Sequence, residues 1–174
     1  MKPAYQNMRN FWLDIANLEN RKGILEIGAD KVAIAGLEFA VWDGAGNKHI
    51  FIATNSLGDS SFYFENNSPS GIGGMIGGHG NENLQTSAAR MLAYAAKLTG
   101  QMKSLPAGSD LPHVSDAQTV CLFAVSKEKL FFIQVAEQDV KNPEHPFYPM
   151  FAYAQQTIGH FRQQQLAGAD NNRS

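Results

Sequence analysis

The spacing of apolar residues predicts three principal helices in this chain. In three segments the apolar side chains recur every three or four positions, as they do along one face of a helix. These segments are residues 6–19, 84–98 and 147–161. Asn81 or Asn83 would cap the second helix at its amino end, and Gly100 would end it. Because each helix has only one apolar stripe, each should cover another layer of the structure.

Other segments have the length and composition of β-strands. They are residues 32–42, 49–54, 61–65, 119–125 and 130–137, with a shorter apolar segment at 24–27. Residues 119–125 are apolar on both alternating faces, which is typical of an interior strand. Short polar turns separate the first three long strands from one another and the last two from each other. Strands that follow one another through short turns pair antiparallel, so we expect a meander followed by a hairpin.

The predicted fold class is α+β, with an antiparallel sheet of five to six strands covered by three helices. The order αβββ(β)αββα resembles that of profilin-like and roadblock-like domains. This resemblance concerns architecture alone and implies no function. We expect a single domain over residues 1–174, with a polar loop at 101–115 and a frayed tail at 166–174.

Composition limits the class of protein further. The chain has 174 residues, a formal net charge of −2, 44% hydrophobic residues and 17% charged residues, which favours a globular domain that does not bind nucleic acid. No apolar run is long enough to span a membrane, and no secretory signal opens the chain, so we expect a cytoplasmic location. Cys121 is the only cysteine, which excludes an intramolecular disulfide and a thiolate cluster.

The glycine-rich segment 70–80 is the most unusual part of the sequence. It contains six of the 16 glycines but satisfies neither the dinucleotide-binding fingerprint nor the phosphate-binding P-loop pattern. We interpret it as a loop or bend in the framework. A second interpretation is a backbone cradle for a small anionic ligand, beside the start of a helix. The candidate ligand-binding residues are Gly73, Gly74, Gly77, Gly78, His79, Asn81, Glu82 and Arg90. A third interpretation is an oligomer contact through Ile72, Met75 and Ile76.

No set of residues in the sequence completes a catalytic or metal site. His79 and Glu82 could converge at a helix start, but a zinc site needs three or four ligands. The other histidines, His49 among them, have no ligand-like spacing. Cys121 lies in a strand that is apolar on both faces, where a thiol behaves as a small hydrophobe. We therefore expect no catalytic residues, no metal and no cofactor.

The sequence thus favours a non-enzymatic binding or interaction module. We expect it to form a homo-oligomer and to bind a small anionic ligand or a protein partner, without contact to nucleic acid or membrane. The alternative is a small enzyme that acts on an anionic or amide-bearing substrate at residues 70–83.

Overall fold

The computed structural model of the chain describes residues 1–19, 28–78 and 80–171. Its helices are α1 (Pro3–Leu13), α2 (Ile15–Glu19), α3 (Glu82–Leu98), α4 (Glu137–Val140) and α5 (Tyr148–Asn171), with a 3₁₀ turn at Thr99–Gln101. Its strands are β1 (Ile34–Trp42), β2 (Asn47–Asn55), β3 (Ser60–Glu65), β4 (Ile72–Gly77), β5 (Lys103–Pro106), β6 (Thr119–Val125) and β7 (Lys129–Ala136). The protein is α+β, as the sequence predicts.

The seven strands form one antiparallel sheet in the order β4-β3-β2-β1-β6-β7-β5. The predicted meander corresponds to β1–β3 and the predicted hairpin to β6 and β7. The expected count of five to six strands and three helices is wrong, since the described residues form seven strands and five α-helices. The order along the chain therefore also departs from the profilin-like and roadblock-like order. The short strand predicted at 24–27 lies outside the described residues.

The glycine-rich segment is not a loop: most of it is the edge strand β4. It pairs antiparallel with β3, so that Gly73 lies opposite Phe64 and Gly74 lies opposite Tyr63. The aromatic rings lie over the two glycines and fill the space that side chains would otherwise occupy. Glycine is unfavourable in strands because it has no side chain to pack, and here the neighbouring strand supplies the packing.

The first predicted helix is divided in two. Asp14 has an extended backbone with φ −91° and ψ 107°, which ends α1. Its carboxylate accepts a hydrogen bond from the backbone N–H of Ala16 at 3.0 Å, at the start of α2. An aspartate side chain that accepts a hydrogen bond from a nearby backbone N–H competes with helical hydrogen bonding, which explains the break between α1 and α2. The apolar stripe that predicts one helix continues across this break.

Two further segments differ from the predicted loop and tail. Within the loop predicted at 101–115, Lys103–Pro106 forms strand β5 beside β7. The last helix continues to Asn171, into the segment that the sequence favours as a tail. Although α5 has 24 residues, neither it nor any other described helix is apolar enough over a sufficient length to cross a bilayer.

Helices cover both faces of the sheet. We call the two faces the α1 face and the α5 face, after the helices that pack on them. Tyr5 and Trp12 of α1 belong to a core cluster with Phe51 and Phe123 of the sheet. On the other face α3 and α5 pack side by side. Their core residues include Met91, Ala95, Met150, Ala154 and Ile158, together with Leu37, Ile52 and Leu122 from the sheet.

Candidate functional site

The glycines of β4 have packing roles. A Cβ atom built on Gly73 would lie 2.5 Å from the ring of Phe64, and one built on Gly74 would lie 2.5 Å from the ring of Tyr63. On Gly77 it would lie 2.9 Å from the ring of Phe161 in α5. These distances are too short for real contacts, so the close approach of neighbouring side chains accounts for the missing Cβ atoms.

The turn between β4 and α3 is also built from local contacts. Gly78 has φ +129°, and a Cβ atom there would lie 2.3 Å from the carbonyl oxygen of Gly58. Asn81 is the N-cap of α3, and its side-chain oxygen accepts a hydrogen bond from the backbone N–H of Leu84 at 3.1 Å. Glu82 is exposed in the first helical turn, where a negative charge is favourable. These interactions bring the chain from the sheet into the helix.

Two candidate residues remain, Arg90 and His79. Arg90 lies roughly 13 Å along the helix axis from Asn81, because each residue adds about 1.5 Å. Its guanidinium carbon is 5.9 Å from the centre of the Tyr153 ring on α5. His79 lies outside the described residues. Among the seven candidates that the structure describes, Gly74 alone borders the groove described next.

A long groove lies on the α5 face, where the helices leave part of the sheet uncovered. It consists of two adjoining cavities of about 570 Å³ and about 450 Å³ that share Val41, Ile50, Phe62 and Arg162. We call it the α5 groove. Its floor is formed by side chains of the sheet, namely Phe39, Val41, Ile50, Phe62, Phe64 and Met75. Its wall is formed by α5 through Phe151, Gln155, Ile158, Arg162 and Gln165.

The floor of the α5 groove is apolar and open to solvent. Val41 is 40% exposed, while Ile50, Phe62 and Phe64 are half-buried. A continuous exposed apolar surface of this kind on a globular protein commonly marks a binding site. The groove is therefore the best-formed candidate site among the described residues.

The charged groups around the α5 groove differ in their pairing. The Lys48 ammonium is 3.6 Å from the Asp43 carboxylate, and the Lys141 ammonium is 2.9 Å from the Glu137 carboxylate. Arg162 is exposed on α5 and borders both cavities. In the part of the chain that the structure describes, no carboxylate pairs with its guanidinium. The groove thus combines an apolar floor with one cation that is available to a ligand.

A network of buried polar side chains occupies the opposite, α1 face. Glu38 of β1 is fully buried beneath α1. The Nε atom of Arg9 donates to both carboxylate oxygens of Glu38 at 3.1 Å, and its Nη2 atom donates to one of them at 2.9 Å. Tyr5 donates its hydroxyl to the same carboxylate at 3.1 Å. The Tyr5 pKa is raised, mainly by burial and also by the Glu38 charge, so its hydroxyl stays protonated.

The same network fastens the loop that precedes β6. Arg9 Nη2 also donates to the carbonyl oxygen of Leu111 at 2.6 Å. His49 of β2 has its Nε2 atom 3.1 Å from the carbonyl oxygen of Val114, and its Nδ1 atom contacts the Glu65 carboxylate of β3. Both ring nitrogens of His49 thus have an oxygen partner within the protein. Each of these groups is satisfied by the protein itself, which is typical of a structural network.

The lowered pKa of Glu65 links the stability of the protein to pH. Burial alone would raise the pKa of its carboxyl group. Hydrogen bonds from the side chain and backbone N–H of His49 and from the backbone N–H of Lys2 outweigh burial, so the pKa is lower than usual. The folded protein therefore holds Glu65 ionised more firmly than the unfolded chain does.

We expect stability to fall on acidification and Glu65→Gln to weaken this dependence. The contribution of a carboxyl with a lowered folded pKa is complete above its unfolded pKa and is lost as the pH falls through the folded pKa. Urea unfolding between about pH 6 and about pH 3, which brackets the ordinary carboxyl pKa, measures the effect. Glu144→Gln, which changes an exposed carboxylate, is the control. If the free energy of unfolding depends on pH equally in Glu65→Gln and Glu144→Gln, this role of Glu65 is contradicted.

The predicted environment of the cysteine is confirmed. Cys121 is fully buried in β6, where burial and the neighbouring Glu38 charge raise the thiol pKa to about 12.

The ring centres of His49 and His113 are 4.5 Å apart, a proximity that their distance in sequence did not indicate. The pKa of His113 is lowered by partial burial and by the neighbouring His49. Within the described ranges, no three His, Cys, Asp or Glu side chains are placed to hold a metal ion.

The sequence contained a signal for the buried network but none for the groove. Arg9 follows Tyr5 by four positions on the apolar stripe of α1, and Glu38 interrupts the apolar strand β1. A cation and an anion on two core-facing surfaces indicate a buried pair. The groove instead combines side chains from four strands and α5, whose alignment depends on the sheet order.

Comparison with models of known protein families, with curated proteins and with solved structures finds no match to this chain.

Proposed function

We propose that this protein is a non-enzymatic binding module whose site is the α5 groove. The ligand that fits this site is a small amphiphile with an apolar body and one anionic head group. The apolar body would cover the exposed floor around Val41, Ile50 and Phe62. The head group would accept hydrogen bonds from the guanidinium of Arg162 at the rim.

The unpaired Arg162 beside an uncovered apolar floor is the observation that carries this proposal. Burying apolar surface contributes about 25 cal/mol per Å² and favours any hydrophobic ligand equally. Selectivity would come from the charge of Arg162. The other two cations beside the groove, Lys48 and Lys141, already have carboxylate partners. The groove should therefore prefer an anion to a neutral or cationic molecule of the same length.

The alternative, an enzyme with its site at residues 70–83, has less support. A Cβ atom on Gly73, Gly74 or Gly77 would meet side chains of the protein, so packing already explains why glycine occupies these positions. The side chain of Asn81 is used as a helix cap. This hypothesis stays a prediction, and a ligand that protects residues 70–83 from hydrogen exchange would favour it.

Calorimetric titration with three ten-carbon amphiphiles tests the proposed site. We expect decanoate to bind more tightly than decanol and decyltrimethylammonium. Arg162→Gln should weaken decanoate binding roughly tenfold to a hundredfold, since a hydrogen bond to a charged group contributes about 1.5–3 kcal/mol. Binding of decanol should be unchanged by this substitution.

Arg90→Gln is the matched control for this experiment. Arg90 is also an exposed arginine on a helix, but it contacts Tyr153 and lies outside the groove. We expect this variant to bind decanoate like the unsubstituted protein. The proposal is wrong if Arg162→Gln and Arg90→Gln bind decanoate equally, or if the unsubstituted protein does not distinguish decanoate from decanol.

A further inference from the structure

Strand β4 leaves one side of the sheet open. It is the terminal strand of the described sheet, with β3 on one side and no described strand on the other. An edge strand presents a row of unpaired backbone N–H and C=O groups that can pair with another strand. Proteins commonly block such edges with proline, charged side chains, bulges or very short strands.

The two edges of this sheet differ in that respect. The edge strand β5 has only four residues, and these include Lys103 and Pro106. The edge strand β4 has six residues, Ile72–Gly77, with neither a proline nor a charged residue among them. Its six residues pair with β3 in continuous register, without a bulge. One edge therefore carries blocking residues, whereas the other has none and no described strand pairs with it.

The sequence of β4 is complementary to itself in one antiparallel register. When a two-fold axis passes through Gly74 perpendicular to the sheet, Ile72 lies opposite Ile76 of the second copy. On the other face, Met75 lies opposite Gly73 of the second copy, so a large side chain faces a position without one. Opposite residues of an antiparallel pair lie on the same face of the sheet. In this register the two isoleucines therefore share one face, and Met75 and Gly73 share the other.

The exposure of Ile76 is explained by this arrangement. Ile76 is 69% exposed, although it is the fifth of six residues in a strand without charged side chains, and it extends from the α1 face. Its neighbour on the same face, Ile72, is half-buried against the core. In the register centred on Gly74 each Ile76 side chain would contact Ile72 of the other copy, which removes apolar surface from water on both copies.

We propose that a second copy of this chain pairs with β4 through its own β4, so that the two sheets become one. The partner is the same chain because the register is two-fold symmetric and needs no charged group on either side. The inference is independent of the ligand proposed for the α5 groove. A five-residue ladder buries less area than a standard interface of about 1,600 Å², so the dimer should dissociate on dilution.

Sedimentation velocity with two matched lysine variants tests the surface. Ile76→Lys places a charge at the edge, whereas Leu166→Lys makes the same kind of change on α5, where Leu166 is 68% exposed. We expect the unsubstituted protein and Leu166→Lys to dimerise with rising concentration and Ile76→Lys to remain monomeric. Thermal unfolding checks that both variants fold, because exposed substitutions change stability by only about 0.5 kcal/mol.

Disulfide cross-linking tests the register. The double variant Ile72→Cys/Ile76→Cys should form a covalent dimer on mild oxidation, because opposite residues of an antiparallel pair have Cα atoms about 4.5–5.5 Å apart, within disulfide range. Each single variant should cross-link much less, since its partner position remains isoleucine. The native Cys121 is fully buried and does not compete. A monomer at all concentrations, an Ile76→Lys dimer as strong as that of Leu166→Lys, or a double variant that does not cross-link would overturn the proposal.

Discussion

Replacing Arg9 with methionine is expected to destabilise the protein by about 3–5 kcal/mol, the usual cost of leaving one partner of a buried ion pair uncompensated. Arg9 is 2% exposed, and the carboxylate of Glu38 is fully buried. Methionine fills part of the space of the arginine stem but supplies no charge and no donor. The carbonyl oxygen of Leu111 also loses the donor that fastens its loop to α1. Chemical denaturation followed by circular dichroism measures the loss.

The double variant Arg9→Met/Glu38→Leu distinguishes the charge from the packing. Replacing both partners of a buried pair by apolar groups is often nearly neutral, because neither charge then has to be taken out of water. We expect this variant to recover most of the stability that Arg9→Met loses. Arg90→Met, which removes an exposed arginine, should change the free energy of unfolding by only about 0.5 kcal/mol. A loss for Arg9→Met that is no larger than this would mean that the pair is not essential.

The buried pair and the glycine strand show what a sequence pattern does and does not contain. The period of apolar residues predicts α1 and β1 because that period is a local property of the chain. Arg9 and Glu38 stand at core-facing positions of that same pattern, so the pair could have been inferred from sequence. The hydrogen bond from Arg9 to the carbonyl oxygen of Leu111 could not, because it depends on the path of a loop about a hundred residues further along the chain.

The sequence predicts a loop where β4 lies, because glycine is uncommon in strands. That rarity reflects the lack of side-chain packing, which in this protein Tyr63 and Phe64 provide from the neighbouring strand. The required information lies in the alignment of two segments and not in either segment alone. The same reason applies to the α5 groove, whose floor forms only when the strands take their places beside α5.

Gly36 lies in the central strand β1, where the neighbouring strands leave no space for a side chain. We expect Gly36→Ala to lower the free energy of unfolding by more than about 3 kcal/mol or to prevent folding. Overpacking usually costs about 1–3 kcal/mol, and occasionally more where the surroundings cannot move. A Cβ atom on Gly36 would lie 2.0 Å from the backbone carbonyl oxygen of Ile52 and 2.6 Å from the ring of Phe123. That ring is stacked on Phe51 with the ring centres 5.2 Å apart, so it cannot move away freely.

Two comparisons separate this clash from a general effect of replacing glycine in Gly36→Ala. Gly46 lies in the turn after β1, its φ is not positive, and a Cβ atom there would meet nothing within 4 Å. Gly46→Ala should therefore keep the unfolding midpoint of the unsubstituted protein. Adding Phe123→Leu to Gly36→Ala should restore part of the stability, because the ring contact is relieved while the contact with the Ile52 carbonyl remains. Equal midpoints for Gly36→Ala and Gly46→Ala would show that the strands separate at little cost, contrary to the tight packing of β1 between β2 and β6.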